Sequence, residues 1–412
     1  MTAAQVEGSP PDDIDSSYSW FRLFIGVLIS TISGVGMWAV LVILPRVQID
    51  FGITRAEATL PFTMTMFGFA AGNVLFGRVV DRLGIVASLA IATTLIVIGY
   101  LAASVAPSLW PFALSHLLIG LGSAAGFGPL VADISFWFKK RRGVAVSICA
   151  SGNYLAGTVW PPIVRFMMDK YGWRATIVGI AVVCAVAVPP LMYFLRRRAA
   201  ANNAGANQVV TTTQQAFGIS PNALQWLMAI MGLGCCVAMS MPQVHIVAYC
   251  ADLGYGVARG AEMLSLMMGA GIVSRIASGF IADKIGGLRT LLLGSFLQAV
   301  ALVLYLFFDG LVSLYIVSML FGLFQGGIVP SYALIVREYY PPQEAGARVG
   351  TAIMATIIGM ALGGWLSGAI YDWTGSYHMA FVNGIAWNAL NLTISVWLLT
   401  RPGLPRLSPR TA

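Results

Sequence analysis

The stretch Gly269-Ala-Gly-Ile-Val-Ser-Arg275-Ile-Ala-Ser-Gly-Phe-Ile-Ala-Asp283-Lys-Ile-Gly286 puts a cation inside a long apolar run. Between Arg259 and Asp283 the only charge besides Arg275 is Glu262. With Asp283-Lys284 at a membrane boundary, Arg275 lies 8 residues inside it. At a rise of ~1.5 Å per residue that is ~12 Å, close to the midplane of a ~30 Å hydrocarbon core. A guanidinium there is costly unless it meets an anion or a water-filled cavity. Position 271, one turn earlier, is Gly, so no acid of its own helix neutralises it. An anionic ligand is one partner. A structural Arg held by backbone carbonyls or by an acid on a neighbouring helix is the alternative.

The second half of the stretch has a twin. Gly77-Arg-Val-Val-Asp81-Arg82-Leu-Gly84 matches Gly279-Phe-Ile-Ala-Asp283-Lys284-Ile-Gly286 at an offset of 202. Asp50-Phe-Gly52 matches Asp252-Leu-Gly254 at the same offset, and Asp169 with Gly172 matches Asp372 with Gly375 at 203. Three landmarks at nearly one spacing predict two halves related by an axis along the membrane normal, with a transport site between them near the midplane.

Composition agrees. The 412 residues are 58% hydrophobic and 10% charged, against about 25% charged in soluble domains. Apolar runs long enough to span recur twelve times, over 20–45, 57–77, 85–106, 110–137, 143–166, 174–195, 222–249, 260–281, 289–308, 311–336, 347–371 and 379–400. The fold expected is an all-α membrane protein of twelve transmembrane helices in two pseudo-symmetric six-helix bundles. The bundles would cover 19–198 and 222–401, joined by a polar linker over 199–221, with tails at 1–18 and 402–412.

The net charge of +8 does not signal nucleic-acid binding, because basic residues fall in short clusters between apolar runs. With the N-terminus inside, 17 Lys and Arg residues fall on cytoplasmic segments and 6 on outer ones, and Arg275 completes the 24. That bias places both termini in the cytoplasm of a cell whose plasma (inner) membrane the chain crosses. The acidic start, with Asp12, Asp13 and Asp15, lacks the basic region of a signal peptide. Cys149, Cys184, Cys235, Cys236 and Cys250 lie in or beside apolar runs without metal spacing, so no metal and no cofactor is expected. His-Glu-x-x-His, Gly-x-Ser-x-Gly and a Walker loop are all absent from the sequence, against an enzyme or an ATP-driven pump.

The doubled Gly-x-x-x-Asp-Arg/Lys-x-Gly motif resembles that of the major facilitator superfamily. The resemblance implies that Gly77, Asp81, Arg82 and Gly84, with Gly279, Asp283 and Lys284, form gating loops at the inner face, the glycines letting helices approach closely. A narrower likeness follows. Phe136-Trp-Phe-Lys139-Lys-Arg-Arg142-Gly143, Asp169-Lys-Tyr-Gly172-Trp173-Arg174 and Pro242-Gln-Val-His245 through Tyr249 to Gly254 resemble monocarboxylate transporters and the related oxalate/formate exchangers. Both groups place an Arg in helix 8 that meets the substrate carboxylate, and Arg275 stands there. The chain departs from the mammalian carriers at Gly271, where they have Asp, and around Trp38, where they carry a Lys. It departs from the oxalate exchangers by lacking a cation over 349–371.

One intramembrane cation suits one carboxylate. The resemblance therefore implies a small organic monocarboxylate such as L-lactate or pyruvate, with a proton as first choice of co-substrate and the lipid bilayer as setting. Anion exchange is the alternative coupling, and a membrane sensor for an organic acid is the alternative of another class. Beside Arg275, the residues expected to bind substrate are Tyr332, Asn153, His245 and Asn73, the neutral mate of Arg275 at offset 202. His245 and His116 are the candidates for proton coupling, each also readable as a histidine hydrogen-bonded between helices. Asp133 is expected to pair with a basic loop. The Gly-x-x-x-Gly runs at 122–126, 322–326 and 359–363 are expected at surfaces that rock.

Overall fold

The computed structural model describes residues 14–138, 141–197 and 216–401, with backbone alone at 81, 142–143, 342–343 and 345–347. The tail over 1–13, Lys139, Lys140, most of the linker and the tail over 402–412 lie outside the described residues. Among the described residues, eleven helical stretches are long and apolar enough to cross a membrane. One of them, Val144–Tyr193, is 50 residues long and contains two spans. Gly172, at φ 77° and ψ 164°, turns the backbone between them, a conformation that excludes a Cβ. The crossings are therefore twelve, in the expected order.

Spans 2 and 3 are Leu60–Leu83 and Ile85–Ser104, and spans 5 and 6 share Arg142–Tyr193. Spans 7, 8 and 9 are Pro221–Asp252, Val257–Ile285 and Gly287–Phe307, and spans 11 and 12 are Pro342–Thr374 and His378–Leu399. Three spans are broken. Span 1 consists of Ser17–Ser33 and Val35–Phe51, span 4 of Leu109–Ser123 and Gly128–Ser135, and span 10 of Leu311–Gln325 and Ile328–Tyr339. A short helix, Arg55–Ala58, precedes span 2 and is closed by a capping box between Thr54 and Glu57.

The repeat read from sequence is built into the backbone. Gly52 and Gly254, Gly84 and Gly286, and Gly172 and Gly375 all take positive φ. The breaks in spans 4 and 10 fall in the same register, after Ser123 and Gln325. Packing repeats too. A Cβ on Gly120 would lie 2.0 Å from the Thr65 carbonyl oxygen, and one on Gly322 would lie 2.0 Å from that of Met267. The Gly-x-x-x-Gly runs do pack closely, but inside the bundles. Gly122 meets span 3, Gly126 span 1, Gly322 and Gly326 span 8, and Gly359 and Gly363 span 7. They are internal seams, so the expectation that they line the moving surfaces is corrected.

We call the end carrying residues 83–85 and 285–287 the motif end and the opposite one the Arg55 end. Arg55 pairs with Asp252 of span 7 at 2.8 Å, and the Asp372 carboxylate of span 11 accepts from the backbone N–H groups of Arg55 (2.8 Å) and Ala56 (2.6 Å). This puts an anion on the N-terminus of the short helix, where the orphan N–H groups point. Gly364 and Gly368 let span 11 lie against Phe62, Arg55 and Ala56.

The Ser265 hydroxyl donates to the Thr158 carbonyl, and Arg275 donates to Ala150, tying span 8 to span 5 down to mid-depth. Between described residues, no hydrogen bond or ion pair joins the bundles nearer the motif end. Among the described residues, a Cβ added at Gly77 or Gly279 would find nothing within 4 Å, and Arg82, Asp283 and Lys284 are exposed. The close approach expected of those two glycines is not seen among the described residues. The Asp81 side chain lies outside the described residues. Large apolar side chains such as Phe166, Val186, Phe307 and Val312 are exposed on the periphery, as lipid-facing surfaces require.

Candidate functional site

Arg275 projects from span 8 at the junction of spans 5, 8 and 10. It is 7% exposed. Its Nη1 donates to the Ala150 carbonyl of span 5 at 3.0 Å, and its Nε donates to the Gly326 carbonyl of span 10 at 3.4 Å. Gly326 has a carbonyl to offer because the residue four ahead is Pro330, which lacks the N–H that would close the helical ladder. Ser331, one residue on, does donate back to Gly327 at 3.3 Å. The same device acts at Thr158, whose carbonyl is freed by Pro162 and taken by Ser265.

The guanidinium lies over the Tyr154 ring, 4.2 Å from its centroid. Gly271 makes that possible, since a Cβ there would lie 2.5 Å from the ring. The absence of an acid at 271 thus has a steric cause: Tyr154 fills the space an Asp side chain would need. Two carbonyls and an aromatic face solvate the cation without cancelling its charge. A cation–π contact is worth ~0.5–2 kcal/mol, against a cost of at least ~2.5–3.5 kcal/mol for Arg at mid-membrane. Among the described residues Arg275 has no ion pair, and Nη2 has no hydrogen-bond partner.

Of the residues expected beside it, the structure brings Asn153 near. It precedes Tyr154 on span 5, and its backbone and side-chain oxygens accept from Trp38 Nε1 at 2.9 and 3.2 Å. The other three, Tyr332, His245 and Asn73, are placed elsewhere, as is the proton-coupling candidate His116. Tyr332 is fully buried within the second bundle, its hydroxyl 3.3 Å from Cys235 Sγ. His245 is buried toward the Arg55 end. Its Nε2 lies 2.8 Å from the Gly364 carbonyl, which requires Nε2–H, and its Nδ1 lies 3.1 Å from the Tyr377 hydroxyl. His245 thus bonds to span 11 and to Tyr377 within the second bundle and does not touch Arg275.

His116 contacts the Phe112 carbonyl of its own helix through Nδ1 at 2.8 Å, and Nε2 has no partner. Asn73 donates to Phe69 of its own helix at 2.8 Å and packs on Gly128, at the break of span 4. It occupies in the first bundle the station that Arg275 holds at the break of span 10. Asp133 pairs with a span and not with a loop: Arg22 of span 1 grips it with Nε (2.9 Å) and Nη2 (3.0 Å) and lies over Trp137.

Sequence reasoning missed the role of Arg55. Its partners Asp252 and Asp372 had been visible only as landmarks of the repeat. Burial holds the phenol of Tyr377 well above the usual tyrosine range, so it adds a neutral hydroxyl beside the Arg55–Asp252 pair. Among the described residues no cluster of His, Cys, Asp or Glu could hold a metal ion.

The chain matches the Major Facilitator Superfamily over residues 26–314 and again over 278–412. Monocarboxylate transporter 13 of Bos taurus is 28% identical over 334 residues, covering 79% of this chain and 75% of that protein. The MFS-type transporter opdF of Penicillium oxalicum is 24% identical over 362 residues, covering 85% and 84%. Among solved structures, the nucleoside transporter NupG superposes with a TM-score of 0.71 at 14% identity, covering 93% of this chain and all of that one. A bacterial homolog of the human lysosomal transporter Spinster, in an inward-facing and occupied conformation, superposes with a TM-score of 0.68 at 13% identity, covering 98% and 100%.

Proposed function

This chain belongs to the major facilitator superfamily and is a multi-pass membrane transporter, and we propose that its cargo is a small organic monocarboxylate held by Arg275. The carrying observation is the uncancelled charge of Arg275 at mid-depth, where spans 5, 8 and 10 meet. A carboxylate can take a guanidinium edge through two parallel hydrogen bonds, the geometry this pair favours. The likeness to a monocarboxylate transporter supports the same cargo.

Transport proceeds by alternating access. In our reading the motif end faces the cytoplasm with both termini, so the arrangement described is open inward and closed outward by Arg55, Asp252 and Asp372. The linker over 199–221 joins the two moving bundles. A proton accompanying the acid remains our first choice of coupling, with the proton shared between substrate and carrier. One observation favours exchange as a second reading: neither His116 nor His245 contacts Arg275, and both are held by other groups.

The test is uptake of labelled L-lactate into proteoliposomes, with and without an inward proton gradient, for the wild type and Arg275→Ala. Gradient-driven uptake that the variant loses is the expected result. Uptake indifferent to the gradient but raised by internal lactate points to exchange. A wild type that carries no monocarboxylate in either format overturns the cargo, and ligand binding without flux points to a sensor.

A further inference from the structure

We propose that the buried amide pair Gln243–Gln325 selects monocarboxylates bearing an oxygen on C2, hydroxyl or keto, over unsubstituted acids; this rests on the cargo assignment to Arg275. Gln325 ends the first half of span 10, and the next residue, Gly326, supplies the carbonyl that holds Arg275 Nε. The Gln325 side chain is fully buried, and its Oε1 accepts from Gln243 Nε2 of span 7 at 2.7 Å. Its own Nε2 has no hydrogen-bond partner.

Reversing both amides moves the unpaired NH2 from Gln325 to Gln243 and does not remove it. Two side-chain amides that share one hydrogen bond always leave one NH2 group over. Other buried polar residues of spans 7, 9 and 10 use their donors: Ser240 on Met360, Gln298 on Cys235 and Ser331 on Gly327. A buried donor without an acceptor is destabilising until an acceptor arrives. A C2 oxygen beside a carboxylate on Arg275 is such an acceptor, and a hydroxyl there can also donate.

The pseudo-symmetry supplies an independent argument. The residue matching Gln325 in the first bundle is Ser123, which donates to its own helix at Ile119, 2.8 Å away. The residue matching Arg275 is Asn73, which likewise bonds its own helix. At both stations the first bundle has a self-satisfied side chain, and the second has a group with hydrogen-bonding capacity unused. The two departures meet at one place, the break of span 10.

The experiment compares labelled L-lactate and labelled propionate uptake in proteoliposomes for the wild type, Gln325→Leu and Gln243→Leu. We expect the wild type to prefer lactate at least tenfold in kcat/KM. Either substitution should lower lactate uptake about tenfold and leave propionate uptake within about twofold. Retained propionate uptake reports a folded carrier, which a merely structural role for the pair would not predict. Equal uptake of both acids by the wild type, or equal loss of both in both variants, overturns the selector and leaves the monocarboxylate reading standing. A wild type that carries neither acid brings down the cargo assignment and the selector with it.

Discussion

Arg275 Nη1 and the Ala150 carbonyl, 3.0 Å apart, form a hydrogen bond that crosses from one bundle to the other at mid-depth. A carboxylate that engages both outer nitrogens of the guanidinium competes with Ala150 for one of them. Arg275→Lys keeps the charge but loses the planar fork and the stacking on Tyr154. We expect KM for L-lactate to rise about tenfold in this variant, the scale of one charge-assisted hydrogen bond. Concentration-dependent uptake checks it.

Pro330→Ala restores an N–H four residues after Gly326 and lets the ladder compete for the carbonyl that holds Arg275 Nε. Losing sole use of a hydrogen bond worth ~0.5–1.5 kcal/mol predicts a two- to tenfold rise in KM. Span 10 should gain stability, since a helical bond is added. A thermal-shift assay reading an unchanged or higher Tm beside the raised KM would separate this from misfolding.

Gly271→Asp alone should damage the carrier, because the new Cβ would lie 2.5 Å from the Tyr154 ring. The double variant Gly271→Asp with Tyr154→Ala clears the space and gives Arg275 an acid. The ionised Asp then occupies the cation, and only its protonated form leaves Arg275 free for cargo. Uptake should therefore rise as pH falls in the double variant, relative to the wild type at each pH.

Arg55→Gln removes the ion pair with Asp252 and the contact over Tyr371. A partly exposed pair of this kind is worth about 1 kcal/mol, which shifts a two-state equilibrium about fivefold. Introduced with Thr63→Cys, a buried position against span 11, it should raise thiol labelling from the Arg55 side about fivefold. Labelling equal to that of Thr63→Cys alone would mean that Arg55 does not hold this end shut.

Gly368→Val and Gly77→Val should act in opposite senses. A Cβ at Gly368 lies 3.0 Å from the backbone of the short helix, so Val should wedge the Arg55 end open. A Cβ at Gly77 meets nothing here, so Val should favour this arrangement by obstructing the other. Labelling of a cysteine at Thr63 in each background reads the difference: up with the first substitution, down with the second.

The twelve spans and their repeat were legible because they rest on local chemistry. Gly52, Gly84 and Gly172 with their mates mark turns by backbone conformation alone, and a charge at 275 is conspicuous in an apolar run. The directions of His245 and Tyr332 were not legible. Spans 7 and 10 carry polar residues such as Ser240, Gln243, Gln325 and Ser331 among apolar ones, and periodicity alone does not say whether such a side faces a cavity or a neighbouring helix. Arg22–Asp133 and Arg55–Asp252 join residues 111 and 197 positions apart, and only packing brings them together. No neighbour stands against Gly77 or Gly279 among the described residues, and a motif alone does not say in which arrangement its contacts are made.

The two bundles share a frame down to the contact of Gly120 on Thr65 and of Gly322 on Met267, yet they differ at its centre. Asn73 and Ser123 turn back onto their own helices, while Arg275 and Gln325 keep valence to spare. If Arg275 and Gln325 hold the cargo as proposed, the grip would belong to the second half alone, and no charge would need to be stripped from one wall and handed to the other during the crossing.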